Sequence, residues 1–95
     1  MNACYIIFSP KINKFYVGAT HQEPQQRLLK HNQGSYGKNR FTAVTNDWEL
    51  FLIIPACDYA HAIRIERKIK AMKSAKYIRD LKSNSEKIDL LVSST

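Results

Sequence analysis

Apolar and polar positions divide this chain into short, well-punctuated elements. Ala3, Cys4 and Tyr5 lead into the apolar run Ile6, Ile7 and Phe8, and Phe15, Tyr16 and Val17 form a second run closed by Gly18. Each run has the length and the aromatic and β-branched content of a strand. Between them, Ser9-Pro10-Lys11-Ile12-Asn13 carries turn residues, so residues 3–8 and 14–18 are predicted to pair as a hairpin, with Gly18 ending its second strand. Pro24 suits the first turn of a helix, where its missing N–H has no intrahelical partner anyway, and Gly34 is a normal stop, so a helix is predicted from Pro24 to about Gln33. On it, Leu28 and Leu29 are the expected apolar contacts. Residues 34–47, with Gly34, Gly37, Asn39, Asn46 and Asp47, read as a long loop, and loops of that length are more often functional than structural.

From Trp48 to Ile54 both alternating faces are apolar, which predicts a central strand covered on both sides and ended by Pro55. Asp58 is a good N-cap for a helix over about 59–72, whose apolar stripe is Tyr59, Ala62, Ile65, Ile69 and Met72. Ser74 restarts a shorter helix over about 75–82. After it, residues 83–95 read as a polar-ended tail that frays, although Ile88, Leu90, Leu91 and Val92 give it the means to dock on the core or on a partner. No repeat and no second domain is visible. The division is a domain over 1–82 followed by a tail over 83–95, and the fold class is α+β, a small three-stranded, mainly antiparallel sheet flanked by helices.

At 95 residues with 44% apolar content, the chain is one small globular domain. No stretch reaches the ~18 apolar residues of a membrane helix, and the first residues lack the layout of a signal peptide. The expectation is a cytoplasmic protein. Its two cysteines, Cys4 and Cys57, sit among apolar neighbours and read as reduced core thiols; a single disulfide between them is the alternative. Charge narrows the partner. The net charge is +7, and between His61 and Lys82 eight cations face only Glu66 and Asp80. Excess charge concentrated in one helical region favours a polyanion, nucleic acid being the commonest, over mere solubility.

Three helical positions carry the candidate chemistry. At 100° per residue, Glu66 falls inside the apolar stripe of its helix, and a carboxylate there is expensive unless it is paired with a neighbouring cation or bound to a metal. Arg27 and His31 lie four apart and share a face; a guanidinium offers a planar fork matched to phosphate, while a histidine near a helix end more often caps or sits at the surface. Tyr5 and Tyr16 fit equally well as strand core residues. A phenol with a free pKa near 10 needs nearby positive charge to act as a base close to neutrality. Together these residues supply a proton acceptor, a cation for phosphate and a carboxylate for metal.

The order of these pieces resembles the GIY-YIG nuclease family over residues 3–82. The first signature is reduced to Ala3-Cys4-Tyr5, with Ala3 in place of the family's glycine, and the second is the near match Tyr16-Val17-Gly18. Leu28-Leu29-Lys30-His31-Asn32, Trp48-Glu49-Leu50 and Ile65-Glu66-Arg67-Lys68-Ile69-Lys70 resemble the end of the family's first helix, the start of its third strand and the segment with its metal glutamate. The likeness is greatest to small stand-alone members related to the nuclease domain of the excinuclease endonuclease subunit. An asparagine that some members carry after the glutamate has no counterpart in Ala75-Lys76-Tyr77-Ile78.

The resemblance implies a metal-dependent endonuclease acting on DNA, with magnesium, or manganese, as cofactor. Tyr16 would be the general base, Tyr5 its hydrogen-bonding support, Arg27 the phosphate ligand, and His31 an aid to proton handling or phosphate positioning. Glu66 would be the sole protein ligand of the metal. Lys38, Arg40, Arg67, Lys70, Lys73 and Lys76 would track nucleic acid. No appended sequence-reading module is evident, so structure rather than sequence preference is expected, with a role such as DNA repair. Two alternatives keep the fold without this activity: a non-catalytic nucleic-acid-binding module, and a subunit that needs a protein partner or a second copy of itself.

Overall fold

The computed structural model describes residues 1–37 and 41–95. Three strands, β1 (Ala3–Ser9), β2 (Lys14–Thr20) and β3 (Glu49–Pro55), form an antiparallel sheet in the order β2-β1-β3. The chain order and fold class are those predicted, but the central strand is β1. The Trp48–Ile54 run supplies an edge strand instead, with most of its residues only half-buried. Being apolar on both faces did not make it central. Its alternate faces meet two separate cores, and Pro55, which lacks a ladder donor, is tolerated at the end of an edge strand.

The two cores lie on opposite faces of β1, as the period-2 alternation requires. Cys4 and Ile6 join Val17, Ile54, Ile65, Ile69, Ile78, Leu81 and Leu91 on one face. Tyr5 and Ile7 join Trp48 on the other, with Tyr16, Leu28 and Leu50 packed around them. The first core is covered by α2 (Tyr59–Met72), α3 (Ala75–Ser83) and α4 (Ser85–Ser93); the second is covered by α1 (Pro24–Gln33). Of the two α1 leucines only Leu28 packs inward, beside the buried Pro24 and His31, and Leu29 is 58% exposed. Likewise the α2 stripe is buried at Ala62, Ile65 and Ile69, whereas its ends, Tyr59 and Met72, are exposed.

Helix boundaries follow the capping residues. Asp58 accepts a hydrogen bond from the His61 backbone N–H, and Ser74 accepts one from Tyr77. Gly34 closes α1 at φ 70° in the left-handed region. The segment expected to fray forms α4 instead. Asn84 caps it, Leu91 is buried in the first core, and His61 holds its end: Nδ1 accepts from the Cys57 N–H while Nε2 reaches the Val92 carbonyl. Both cysteines are free, but only Cys4 is a core thiol, with its pKa pushed up to about 12 by burial and secondarily by Glu66; Cys57 is exposed. Among the described residues, no helix is long and apolar enough to cross a membrane.

Candidate active site

Strand β2 does not stop at Gly18. It continues to Thr20, and Gly18 pairs directly with Tyr5 of β1. The glycine is there for space. A Cβ at Gly18 would lie 2.6 Å from the Tyr5 ring carbon Cζ and from its hydroxyl oxygen. Tyr5 therefore lies across the neighbouring strand, fully buried, and delivers its hydroxyl to His31 of α1.

There Tyr5 Oη sits 2.7 Å from His31 Nε2, and His31 Nδ1 sits 2.7 Å from Thr42 Oγ1. Burial raises the Tyr5 pKa well above its ordinary value, with the nearby Arg27 cation opposing it, so the phenol keeps its proton. That proton is donated to Nε2, which leaves the N–H on Nδ1 to be donated to Thr42. Thr42 belongs to a single 3-10 turn, Phe41–Val44, inside the segment expected to be a plain loop. The turn is pinned by the Trp48 indole N–H, which donates to the Thr42 carbonyl at 2.8 Å. Trp48 in turn is clamped by Asn32, whose side chain accepts from the Trp48 N–H and donates to its carbonyl. His31 and Thr42 are both buried.

Around this chain opens a cavity of about 440 Å³, lined by Tyr16, Arg27, His31, Tyr36, Phe41, Thr42 and Lys70. The Tyr16 ring stands 5.0 Å from the His31 ring and 6.5 Å from Tyr5, and Lys70 Nζ lies 5.6 Å from its centroid. The Arg27 guanidinium packs over the Tyr36 ring at 4.9 Å. Arg27 Nε and the Tyr36 hydroxyl are buried without a hydrogen-bond partner among the described residues. A buried guanidinium N–H in a cavity wall is costly to leave unmatched, and an anion is its natural counterpart.

Glu66 stands on α2 one turn before Lys70. Its side chain is 20% exposed and meets Lys70 Nζ at 3.7 Å, an ion pair too long for a hydrogen bond. This is the paired carboxylate at a stripe edge that periodicity allowed. Its oxygens also remain available to a hard cation: among the described residues Lys70 is its only side-chain partner, and no group of three or more His, Cys, Asp or Glu forms a cage. One carboxylate with water and phosphate oxygens completing the shell suits magnesium, so the donor set fits the implied metal.

The residues singled out from sequence therefore separate into groups. Tyr16, Arg27 and His31 line one cavity, and Tyr5 reaches it through His31. Lys70 borders it and Glu66 adjoins Lys70. Lys73 borders a different groove, Arg67 is exposed on α2, and Lys76 pairs with Asp80 at 2.9 Å. Lys38 and Arg40 lie outside the described residues. Thr42, Tyr36 and Asn32 were not singled out. Tyr36 and Thr42 had only their place in an over-long loop to flag them, and Asn32 only its adjacency to His31.

A family model for the GIY-YIG catalytic domain matches residues 1–79. The chain belongs to the GIY-YIG family. The three-stranded antiparallel sheet and the paired tyrosines on its two adjacent strands are those of a GIY-YIG domain, a nuclease family. No curated protein and no solved structure shows a significant match to the chain. In this GIY-YIG domain the first-signature glycine is Ala3, which lies fully buried in an ordinary ladder between Thr20 and Pro55, where a methyl group is accommodated.

Proposed function

We propose that this chain is a metal-dependent endonuclease that hydrolyses phosphodiester bonds in DNA, selecting structure rather than sequence. The observation that carries this reading is the cavity itself. A tyrosine, an imidazole and a half-buried arginine whose Nε has no partner among the described residues line about 440 Å³, and Lys70, which borders it, pairs with the partly open Glu66 carboxylate.

In this reading Arg27 binds the scissile phosphate and stabilises the charge that grows on its non-bridging oxygens during attack. Tyr16 takes a proton from the attacking water. Arg27 and Lys70 line the same cavity and bring positive charge near the phenol, which a phenol acting as a base requires. Tyr5 and His31 act as a brace: the phenol and both imidazole nitrogens are committed to hydrogen bonds, so His31 orients the site and its ring packs against Tyr16. Glu66 would hold a magnesium or manganese ion, which when bound supplies charge neutralisation at the phosphate and a more acidic water. The cavity and its cationic border suit a backbone phosphate, a contact that carries no sequence information.

Nicking of supercoiled plasmid with magnesium or manganese tests this proposal. Wild type should cut; Glu66→Ala, Tyr16→Phe and chelator should each lower cutting at least 100-fold while far-UV circular dichroism and DNA binding persist. Binding that survives chelator with no product at any metal concentration would replace the enzyme by the non-catalytic module. Cutting undiminished in Tyr16→Phe would remove the proposed base.

A further inference from the structure

Strand β2 is an edge of the sheet, and its alternation sends Tyr16 to one face and Phe15 and Val17 to the other. On the Phe15 side lies a second groove of about 260 Å³, between β2, α2 and the start of α3. Its floor is apolar, from Phe15, Val17, Ile69 and Ile78, and its rim carries Lys14, Lys70 and Lys73. Lys70 borders both this groove and the cavity at Tyr16, so the two adjoin around the outer edge of β2.

The lysines of this rim differ from Lys76 and Lys87. Asp80 neutralises Lys76 and Lys87 on the α3–α4 side. Lys14 and Lys73 have no ion pair among the described residues, and the contact between Lys70 and Glu66 is long at 3.7 Å. An apolar trough with an uncompensated cationic rim matches a phosphodiester-linked sugar: phosphate oxygens to the ammonium groups, the sugar to the floor. A carboxylate-rich peptide could satisfy the rim, but it would leave no reason for the rim to run on into the phosphate cavity.

We infer that the Lys14–Lys73 groove is a binding subsite for the nucleotide flanking the scissile phosphate, so that the cut strand wraps the outer edge of β2. This subsite deepens the endonuclease reading and rests on it. Contacts are to backbone and sugar, so it adds affinity without sequence preference.

The test uses the full chain and fluorescence anisotropy with a single-stranded oligonucleotide in chelator, where nothing is cut. The double variant Lys14→Gln/Lys73→Asn keeps a residue that tolerates the left-handed backbone at position 73, φ 49°. Its binding should weaken at least about tenfold at 0.1 M salt, and the slope of log K against log salt should fall by about 1.4, the share of two phosphate contacts on a single strand. Lys68→Gln/Lys87→Gln removes the same charge from the α4 side, where both line a separate groove, and should leave the slope within about 0.3 of wild type. Equal slopes for the two double variants, in proteins that melt as wild type does, would overturn the subsite while leaving the nuclease reading intact. Equal affinity of wild type for polyglutamate and for oligonucleotide would overturn it in favour of an acidic protein partner. Failure of wild type to bind any oligonucleotide or to nick plasmid would bring down the nuclease reading itself, and the subsite with it.

Discussion

Gly18→Ala is the sharpest test of how the site is built. The added Cβ would meet Tyr5 at 2.6–2.8 Å, when an unstrained carbon contact needs about 3.5 Å, so roughly 0.8 Å must be yielded. The backbone at Gly18 is not in the left-handed region, so the substitution adds no conformational strain and even gains about 0.4–1 kcal/mol from the unfolded chain. The Tyr5 ring cannot yield freely. It is fully buried, and a shift of that size would stretch its 2.7 Å bond to His31 to the edge of hydrogen-bonding range. Overpacking costs about 1–3 kcal/mol and the weakened buried bond about 1 kcal/mol. Net destabilisation should be about 1–3.5 kcal/mol, against a total of roughly 5–14 kcal/mol for a domain of this size. Urea unfolding followed by circular dichroism reads it directly, and thermal unfolding should show a melting temperature lower by about 5–25 °C. A double-mutant cycle with Tyr5→Leu isolates the cause: without the ring, Gly18→Ala should be neutral or slightly stabilising. A Gly18→Ala protein within 0.5 kcal/mol of wild type, or the same cost in both backgrounds, would refute the argument.

Thr42→Val leaves the His31 Nδ1–H without its acceptor and should cost about 1–3 kcal/mol; it should also lower plasmid nicking, with both losses rescued by Thr42→Ser and not by a change of pH alone. Asp47 accepts hydrogen bonds from the Ser9 and Thr45 hydroxyls and from the Lys11 N–H, which hold its pKa down at about 2 against an ordinary 3.8. Its folded form therefore binds fewer protons than its unfolded form. The stabilisation is complete above the unfolded value and lost as pH falls from about 3.8 through about 2. Urea midpoints measured between pH 5 and pH 2 should show a slope in that window that Asp47→Asn lacks. Leu91→Ala should cost about 2–4 kcal/mol because Leu91 is 97% buried in the first core; a cost under 0.5 kcal/mol in urea unfolding would mean that the C-terminal helix is not part of the folded unit.

What was legible in the sequence were the features with a local cause. Pro24, Gly34, Asp58 and Ser74 fix their helix ends through backbone geometry and one hydrogen bond, which neighbouring residues decide. The i to i+4 relation of Arg27 and His31 survived for the same reason, and both line the cavity. What was not legible depended on partners far along the chain. The two faces of β3 gave no sign of whether it would be central, because that is settled by which strand β1 accepts on its second edge. The last helix looked like a polar tail because one buried leucine in nine residues makes a weak periodicity, and its anchor, His61, sits thirty-one residues earlier than Val92. Gly18 looked like a strand end because glycine usually is one, and the reason for it, the Tyr5 ring, lies on another strand.

That last relation explains why the two tyrosine runs have to occur together. Tyr5 can cross β2 only where β2 has no side chain, and only by crossing does its hydroxyl reach His31. The register that pairs Tyr5 with Gly18 also pairs Ile7 with Tyr16, which puts Tyr16 on the same face two residues away, beside the imidazole. Thus one cross-strand pairing places both phenols, one as a brace and one at the cavity wall. The first-signature position occupied by Ala3 lies outside this relation: it is two residues from Tyr5 and paired with Thr20 and Pro55. A methyl group there disturbs neither phenol, whereas a methyl group at Gly18 displaces one of them. On this geometry the departure at Ala3 is compatible with a working site, and a departure at Gly18 would not be.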